Sequence, residues 1–336
     1  MTRYRALTAA LLLPTFLLPT LLSGASAVAQ PTAAGATSWS VAPADTGQRT
    51  ARPYFDYNLA PGTTITDAFS VRNNGSAGLT LNVYAADAFT TREGTIDLLA
   101  GDKESTDSGK WVTIGASTVT LQPGEGADIP FSLTVPTTAR PGDHPGGIVA
   151  SLVSDDPNSQ VQVDHRLGSR LYVRVSGELV PSVATSDLAV AFSGSWNPLA
   201  IGSLEVSYRL QNTGNTRITA TTAVEASGPL GVASTTGKAL QLPEVLPGSE
   251  IDVHQTVSGV GALLWLAGAV DLRPSSVGIG ATELDAVALD YGIPAVPFTL
   301  LGILVVIALI VVAIMLLRRR RAKRAGIRPA SVPTEA

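Results

Sequence analysis

From Tyr54 onward apolar side chains recur at every second position, and this alternation limits the fold more than any other feature of the chain. In ITDAFSV, Ile65, Phe69 and Val71 share one face. In LTLNVYA, Leu79, Leu81 and Val83 point one way while Thr80, Asn82 and Tyr84 point the other. FSLTV aligns Phe131, Leu133 and Val135, and RLYVRVS aligns Leu171, Val173 and Val175. A period of two is that of antiparallel strands with one face on a core and the other in water. Turn signals separate the runs: Asn73-Asn74-Gly75, Gln122-Pro123-Gly124, Arg140-Pro141-Gly142 and Asp156-Pro157-Asn158. Each supplies the dihedrals or local hydrogen bonds that a chain reversal needs. Short strands at such spacing predict a β-sandwich.

The pattern occurs twice. SVRNNGSAGLTLNV and RLQNTGNTRITATT both read strand, Asn-x-Gly turn, strand, and each block later repeats a Pro-Gly turn before an alternating strand (LQPGEGADIPFSLTV and VLPGSEIDVHQTV). The expected architecture is therefore all-β, with two tandem immunoglobulin-like β-sandwiches over 51–181 and 182–288. A flexible leader rich in Ala, Thr, Gly and Pro is expected over 30–50, and a short stalk over 289–297.

The ends carry different information. Arg3 and Arg5, an apolar run from Ala6 to Leu22 and the small residues Ala27-Val28-Ala29 read as a secretory signal peptide over 1–29. Phe298 to Leu317 is 20 residues without a charge, about 30 Å of helix, enough for one bilayer core. Arg318 to Arg321, Lys323 and Arg324 follow at once. Positive residues stay on the cytoplasmic side, so the expected topology is a single-pass membrane protein with the sandwiches outside and a basic tail, 318–336, inside.

The whole-chain charge of −4 conceals an asymmetry: between Gln30 and the helix stand 14 basic and 26 acidic residues, a net of −12, which disfavours nucleic acid as a partner. The chain has no cysteine, so disulfides, thiol catalysis and Cys-based metal sites are excluded. His144, His165 and His254 share no metal-ligand spacing, and the acidic loop Asp102-Lys103-Glu104 with Asp107 lacks the pattern of a calcium loop. No nucleophile elbow, zinc-protease helix, P-loop or dinucleotide fingerprint is present. The expectation is a non-enzymatic protein with no cofactor and no metal.

One stretch, ARPGDHPGGIVASLV from Ala139 to Val153, sets Arg140, Asp143 and His144 beside a glycine pair. Pro141 and Gly142 fit a turn, Asp143 suits a bond to its own backbone, and Pro145 biases His144 toward an extended conformation. Gly146-Gly147 before an apolar strand signals a bulge or a close approach by another part of the chain. A catalytic histidine needs a nucleophile and an orienting group, and neither is marked, so the stretch reads as a structural turn or a binding loop. Candidate contact residues are Trp111, placed to stack on a sugar ring, then Arg140, Asp143 and His144, and Arg170, Tyr172 and Arg174 on the polar face of a strand. Of the other tryptophans, Trp265 in GALLWLAGAV reads as core.

PYFDYNLAPGTTITDAFSVRNNG (53–75), GGIVAS (146–151) and GSRLYVRVSGEL (168–179), taken together, resemble the WxL-interacting proteins of Gram-positive bacteria. The resemblance implies a first domain that binds peptidoglycan or another cell-wall glycan, a second that contacts host proteins, and a partnership with surface proteins bearing Trp-x-Leu. The chain itself has no Trp-x-Leu, which places it as the partner of such proteins. Arginine in large excess over lysine, with abundant Ala and Gly, fits a GC-rich genome and an actinobacterial-type member. The function expected is a membrane-anchored surface protein binding cell-wall peptidoglycan or surface-protein partners. The alternative is a carbohydrate-recognition accessory subunit of a glycan-processing or export complex.

Overall fold

The computed structural model describes residues 37–45, 52–154, 163–194, 197, 201–278 and 280–325. The expected signal peptide, Trp196 and the last part of the basic tail lie outside them.

The first sandwich is built from β1 (Trp39–Pro43), β2 (Phe55–Leu59), β3 (Thr64–Asn73), β4 (Leu79–Thr90), β5 (Ile96–Leu98), the single turn α1 (Ser108–Trp111), β6 (Val112–Ile114), β7 (Thr118–Leu121), β8 (Gly126–Thr134), β9 (Gly142–Ser154) and β10 (Val163–Val175). One sheet has the order β1-β3-β8-β6; the other runs β2-β10-β9-β4-β5, with β7 also paired to β4. The apolar faces read from the alternation meet between them, as Phe69, Val71, Leu81, Val83, Phe131, Leu133, Leu171 and Val173, all buried. Each such side chain removed from water contributes roughly 1.5–3 kcal/mol, which is how a domain without disulfides holds itself.

The second sandwich uses β11 (Val183–Ser193), β12 (Gly202–Asn212), β13 (Ile218–Ser227), β14 (Thr235–Thr236), β15 (Leu240–Gln241), β16 (Glu250–Val260), β17 (Leu264–Ser276) and β18 (Val287–Ala295). Its sheets are β11-β12-β16 and β14-β13-β17-β18, with β15 also on β13. The helix α2 (Phe298–Ala325) follows; Phe298–Arg321 is long and apolar enough to cross a membrane, and none of it is buried.

The sequence repeat has a structural counterpart. Asn73 and Asn212 are both fully buried. Asn73 donates through Nδ2 to the carbonyls of Ala77 and Leu121 and accepts from Gly75 N. Asn212 donates likewise to Thr216 and Val245 and accepts from Gly214 N. In both, the asparagine's own backbone is tied to the Pro-Gly turn: Gly124 N to Asn73 O and Asn73 N to Glu125 O, then Gly248 N to Asn212 O and Asn212 N to Ser249 O.

Two boundaries differ from the expected ones. Trp39–Pro43, inside the expected leader, pairs antiparallel with β3 because Trp39 and Val41 alternate inward onto the first core. The expected stalk is largely β18, whose Leu289, Tyr291 and Ile293 pack on the second core. Pro294 is compatible with a strand there because β18 is an edge and needs no N–H on its outer side. Trp265 also differs: it is 49% exposed, and its neighbour Leu266 is the core residue.

Candidate functional site

The glycine pair of β9 marks a close approach. A Cβ on Gly147 would come within 2.5 Å of Leu98 Cδ1, and one on Gly146 within 2.5 Å of Ser108 Oγ. The two point to opposite faces of β9: the bare Gly147 leaves room for Leu98 on the outer face, and the bare Gly146 leaves room for Ser108 of α1 on the side that faces the core. Asp87 on β4 fastens the segment from β5 to α1: its carboxylate accepts the backbone N–H groups of Thr106, Asp107 and Gly109 at 2.7, 2.9 and 2.7 Å. Trp111 is thereby brought over β9.

There Trp111 meets His144, with ring centroids 4.7 Å apart at 47°. His144 Nδ1 lies 2.7 and 2.8 Å from the two Asp107 oxygens, and Nε2 lies 2.8 Å from the Arg140 carbonyl. Both ring nitrogens thus face acceptors, an arrangement that only the doubly protonated ring satisfies. Burial works against the charge, but the Asp107 bond, the Arg140 carbonyl and the charges of Asp107 and Asp143 outweigh it, and the His144 pKa is raised. Among the described residues no hydroxyl is bonded to the imidazole, and both its nitrogens are engaged.

Asp143, one residue earlier, faces the second sandwich. Its carboxylate accepts Arg174 Nε and Nη2 at 2.7 and 2.9 Å and the backbone N–H of Arg217 at 2.8 Å. Arg217 extends from there to Glu244 at 3.1 Å and lies 4.0 Å over the Tyr172 ring. Arg174 Nη2 also donates to the Val277 carbonyl at 2.9 Å. The side chains of Asp143, Arg174 and Arg217 are all about nine-tenths buried or more. Arg174 is held more firmly protonated than usual, first by its bond to Asp143 and against the effect of burial. Beside this knot Asn215 bonds the carbonyls of Pro141 and Glu178, and its own carbonyl accepts Asp143 N at 2.7 Å. On the other side of the junction Thr90 and Arg92, at the end of β4, bond Ser249, Leu246, Glu250 and Asp252.

The seven candidates therefore separate. Trp111 and His144 form one pair with Asp107, to which Arg140 contributes only its carbonyl, its side chain being exposed. Asp143, Tyr172 and Arg174 are joined in the junction between the sandwiches, where the second domain covers them. Asp143 does not bond its own turn, because two arginines claim its carboxylate. Arg170 is exposed on the outer face of β10. Sequence reasoning missed Asp87, Arg217 and Glu244, and it placed Asp107 in an acidic loop without linking it to His144. Arg217 follows the repeated Asn-x-Gly turn, and that recurrence, which is the place where a neighbouring domain can be met, was its one signal.

Along the same outer face the structure leaves an open groove of about 270 Å³, lined by Asp97, Leu98, Val149, Asp164, Arg166 and Gly168. Arg166 bridges it, donating to the Leu98 carbonyl at 3.3 Å and lying 3.7 Å from Asp164. Gly168 leaves room for Leu98 as Gly147 does. Two carboxylates and a guanidinium on a shallow floor suit a polar, extended ligand.

No curated protein matches the chain. Among solved structures, similar ones include the chaperone–tip adhesin complex of CFA/I fimbriae (10% identity, covering 77% of this chain and 100% of that one, TM-score 0.37). The class 5 fimbriae chaperone CfaA (9%, 75% and 98%, 0.34) and the Escherichia coli chaperone DraB (13%, 74% and 98%, 0.32) are others. At these TM-scores the likenesses support no argument. Residues 40–151 match the family model described as WxL Interacting Protein, peptidoglycan binding domain. The match takes in β1 through most of β9, and with it Trp111, Arg140, Asp143 and His144, while Tyr172 and Arg174 lie beyond it. Over residues 40–151, then, the chain is similar to the peptidoglycan-binding domain of the WxL-interacting protein family.

Proposed function

We propose that the chain is a non-enzymatic, membrane-anchored surface protein that holds cell-wall peptidoglycan through its first sandwich. The observation that carries this reading is the peptidoglycan-binding family match over a sandwich whose polar outer face stays open while Asp143, Tyr172 and Arg174 are closed into the domain junction. Asp97 and Asp164 present acceptors to sugar hydroxyls, and Arg166 presents a guanidinium to a stem-peptide carboxylate. Arg170, two residues beyond Gly168 on β10, extends that surface, and Arg140 is exposed beyond the far end of the same strand pair. The helix α2 anchors the protein, with the sandwiches outside and the arginine block inside. The junction keeps the two sandwiches in fixed relation, so that a wall strand held by the first is carried at a defined height above the bilayer. Surface proteins bearing Trp-x-Leu are the partners we expect on this platform, through sheet edges such as β18 and β16.

The test is retention on purified peptidoglycan sacculi, using the full chain in detergent and an ectodomain that ends after Val296, so that β18 is kept whole. Asp97→Asn with Asp164→Asn, and Arg140→Ala with Arg170→Ala, are compared with the parent. Retention that falls several-fold in either pair, with unchanged folding, supports the outer face as the site. Failure of the parent to bind sacculi would overturn the reading and send the search to protein partners by crosslinking on cells.

A further inference from the structure

The end of the second sandwich nearest the helix exposes leucine and tryptophan in segments that carry no charge. In β17 the even positions Leu266, Val270 and Leu272 face the core. Leu264 belongs to the same set by period, yet its φ of 70° takes it out of the extended conformation and it is 59% exposed. Trp265 lies beside it, its ring against Gly292, where a Cβ would stand 3.0 Å from the indole. Leu230, also at positive φ, is fully exposed, and Val232 follows it. Among the described residues four non-glycine residues have positive φ, and three of them, Leu230, Ala233 and Leu264, lie here. Strain that turns leucines outward is retained where the outward position is used.

Strand register places these residues together and next to the helix. Ser227 pairs with Ala267, so the loop after Ser227 lies alongside Leu263 and Leu264. Leu264 pairs with Ala295 and Trp265 with Pro294, and α2 starts at Phe298, three residues after Ala295, within about 10 Å of chain. Gly202 pairs with Val260, which brings the exposed Ile201 to the same end. The rim carries no charge: none occurs in 226–237, in 255–270 or in 291–317.

We propose that this rim is a foot that rests in the outer interface of the bilayer, with Trp265, Leu264, Leu230 and Val232 seated at the boundary of headgroups and acyl chains. The proposal rests on the membrane-anchored reading of α2. That reading puts Phe298 at the outer edge of the hydrocarbon core, so residues paired with Ala295 lie at interface depth. Tryptophan is enriched at that depth, and a charge-free apolar rim has no other partner so close at hand. The foot fixes the tilt of the sandwiches on the membrane, which a single helix joined through Val296 and Pro297 alone does not.

The experiment uses the full chain in phosphatidylcholine vesicles, with the Trp265 signal taken as the difference between parent and Trp265→Phe. Flotation first tests the anchor: a chain that stays with the aqueous fraction overturns the anchored reading and the foot with it. In chains that float, we expect lipid carrying a doxyl group near the headgroup end of the acyl chain to quench the Trp265 component by about half or more, and aqueous iodide to quench it several-fold less than free indole. Leu230→Ser, a change at a fully exposed position, is expected to reduce the lipid quenching. Ready quenching by iodide with none by doxyl lipid overturns the foot while leaving the anchor. Protection from both quenchers that grows with protein density assigns the rim to a second copy of the chain and also overturns it.

Discussion

The backbone N–H of Arg217 in the second sandwich donates to Asp143 Oδ2 in the first at 2.8 Å, and the same carboxylate holds the Arg174 guanidinium at 2.7 and 2.9 Å. One carboxylate therefore joins two domains whose sequences offer no covalent staple. The bonds are nearly shielded from water, so salt screens them little. They are also directional, which makes the junction a defined hinge stop as well as an attraction.

Asp143→Ala is expected to destabilise the ectodomain by about 3–5 kcal/mol, because it leaves two buried guanidinium groups without this carboxylate. Asp143→Asn keeps an acceptor for Arg217 N–H and should lose less. Urea unfolding of both, with small-angle scattering of the folded forms, is the check. Equal stability of the two variants together with an unchanged scattering profile would show that the junction is held elsewhere, for example by Thr90 and Arg92.

The His144 contacts predict a pH dependence of definite sign. The folded ring binds its proton more tightly than the unfolded one, since Asp107 and the Arg140 carbonyl favour the charged form more than burial opposes it. Its contribution to stability is then complete below the unfolded value of about 6.5 and is lost as pH rises through the raised folded value. The difference in melting temperature between the parent and His144→Gln should shrink from pH 5.5 to above neutrality, in experiments spaced by about half a unit. A difference that is flat across this range, or that grows with pH, contradicts the assignment.

Gly147 and Leu98 should behave as a coupled pair. A Cβ at 147 meets both δ-carbons of Leu98 at 2.5 and 2.8 Å and the Ser169 carbonyl at 3.1 Å. Gly147→Val is expected to cost about 1–3 kcal/mol by overpacking. Adding Leu98→Ala makes room and should recover part of that loss, which a double-mutant cycle reads directly. It should also loosen the segment from β5 to α1, seen as faster amide exchange at Thr106, Asp107 and Gly109. Strict additivity of the two changes would mean that Leu98 does not sit where the close approach requires.

The β-sandwich class was legible because burial on one face of a strand imposes a period of two, and Phe69, Val71, Leu81 and Leu133 obey it. The close approach at Gly146-Gly147 was legible too, since two glycines before an apolar strand have few other uses. Domain edges were harder. Leu289, Tyr291 and Ile293 alternate as well as any core strand, but Pro294 and the nearby helix made a stalk the simpler reading. Leu264 and Trp265 misled for a different reason: an apolar run says what is hydrophobic, and only the backbone at Leu264 shows which way it turns. The candidate site divided because polar residues on an outer strand face look alike in sequence whether a ligand or a second domain covers them. Tyr172 and Arg174 became junction residues through Arg217 and Glu244, which lie 43–45 and 70–72 positions further along the chain.

The matched asparagines provide the last prediction. Asn73 and Asn212 each place an amide NH2 between two carbonyls and offer the oxygen to a glycine N–H two residues on. Asn→Ala at either position leaves those buried carbonyls bare, at about 1–3 kcal/mol for each group left without a partner. Asn→Asp should be worse than Asn→Ala despite its shape, because a carboxylate oxygen replaces the donor and faces the two carbonyl oxygens. Each change should act on its own sandwich: Asn212→Asp should speed amide exchange at Gly214 and Gly248, and Asn73→Asp at Gly75 and Gly124, with the other sandwich much less affected. If Asn212→Asp is tolerated as well as Asn212→Ala, the NH2 does not supply the bonds that tie the Asn-x-Gly turn to the Pro-Gly turn, and the likeness of the two sandwiches at this point is one of sequence alone.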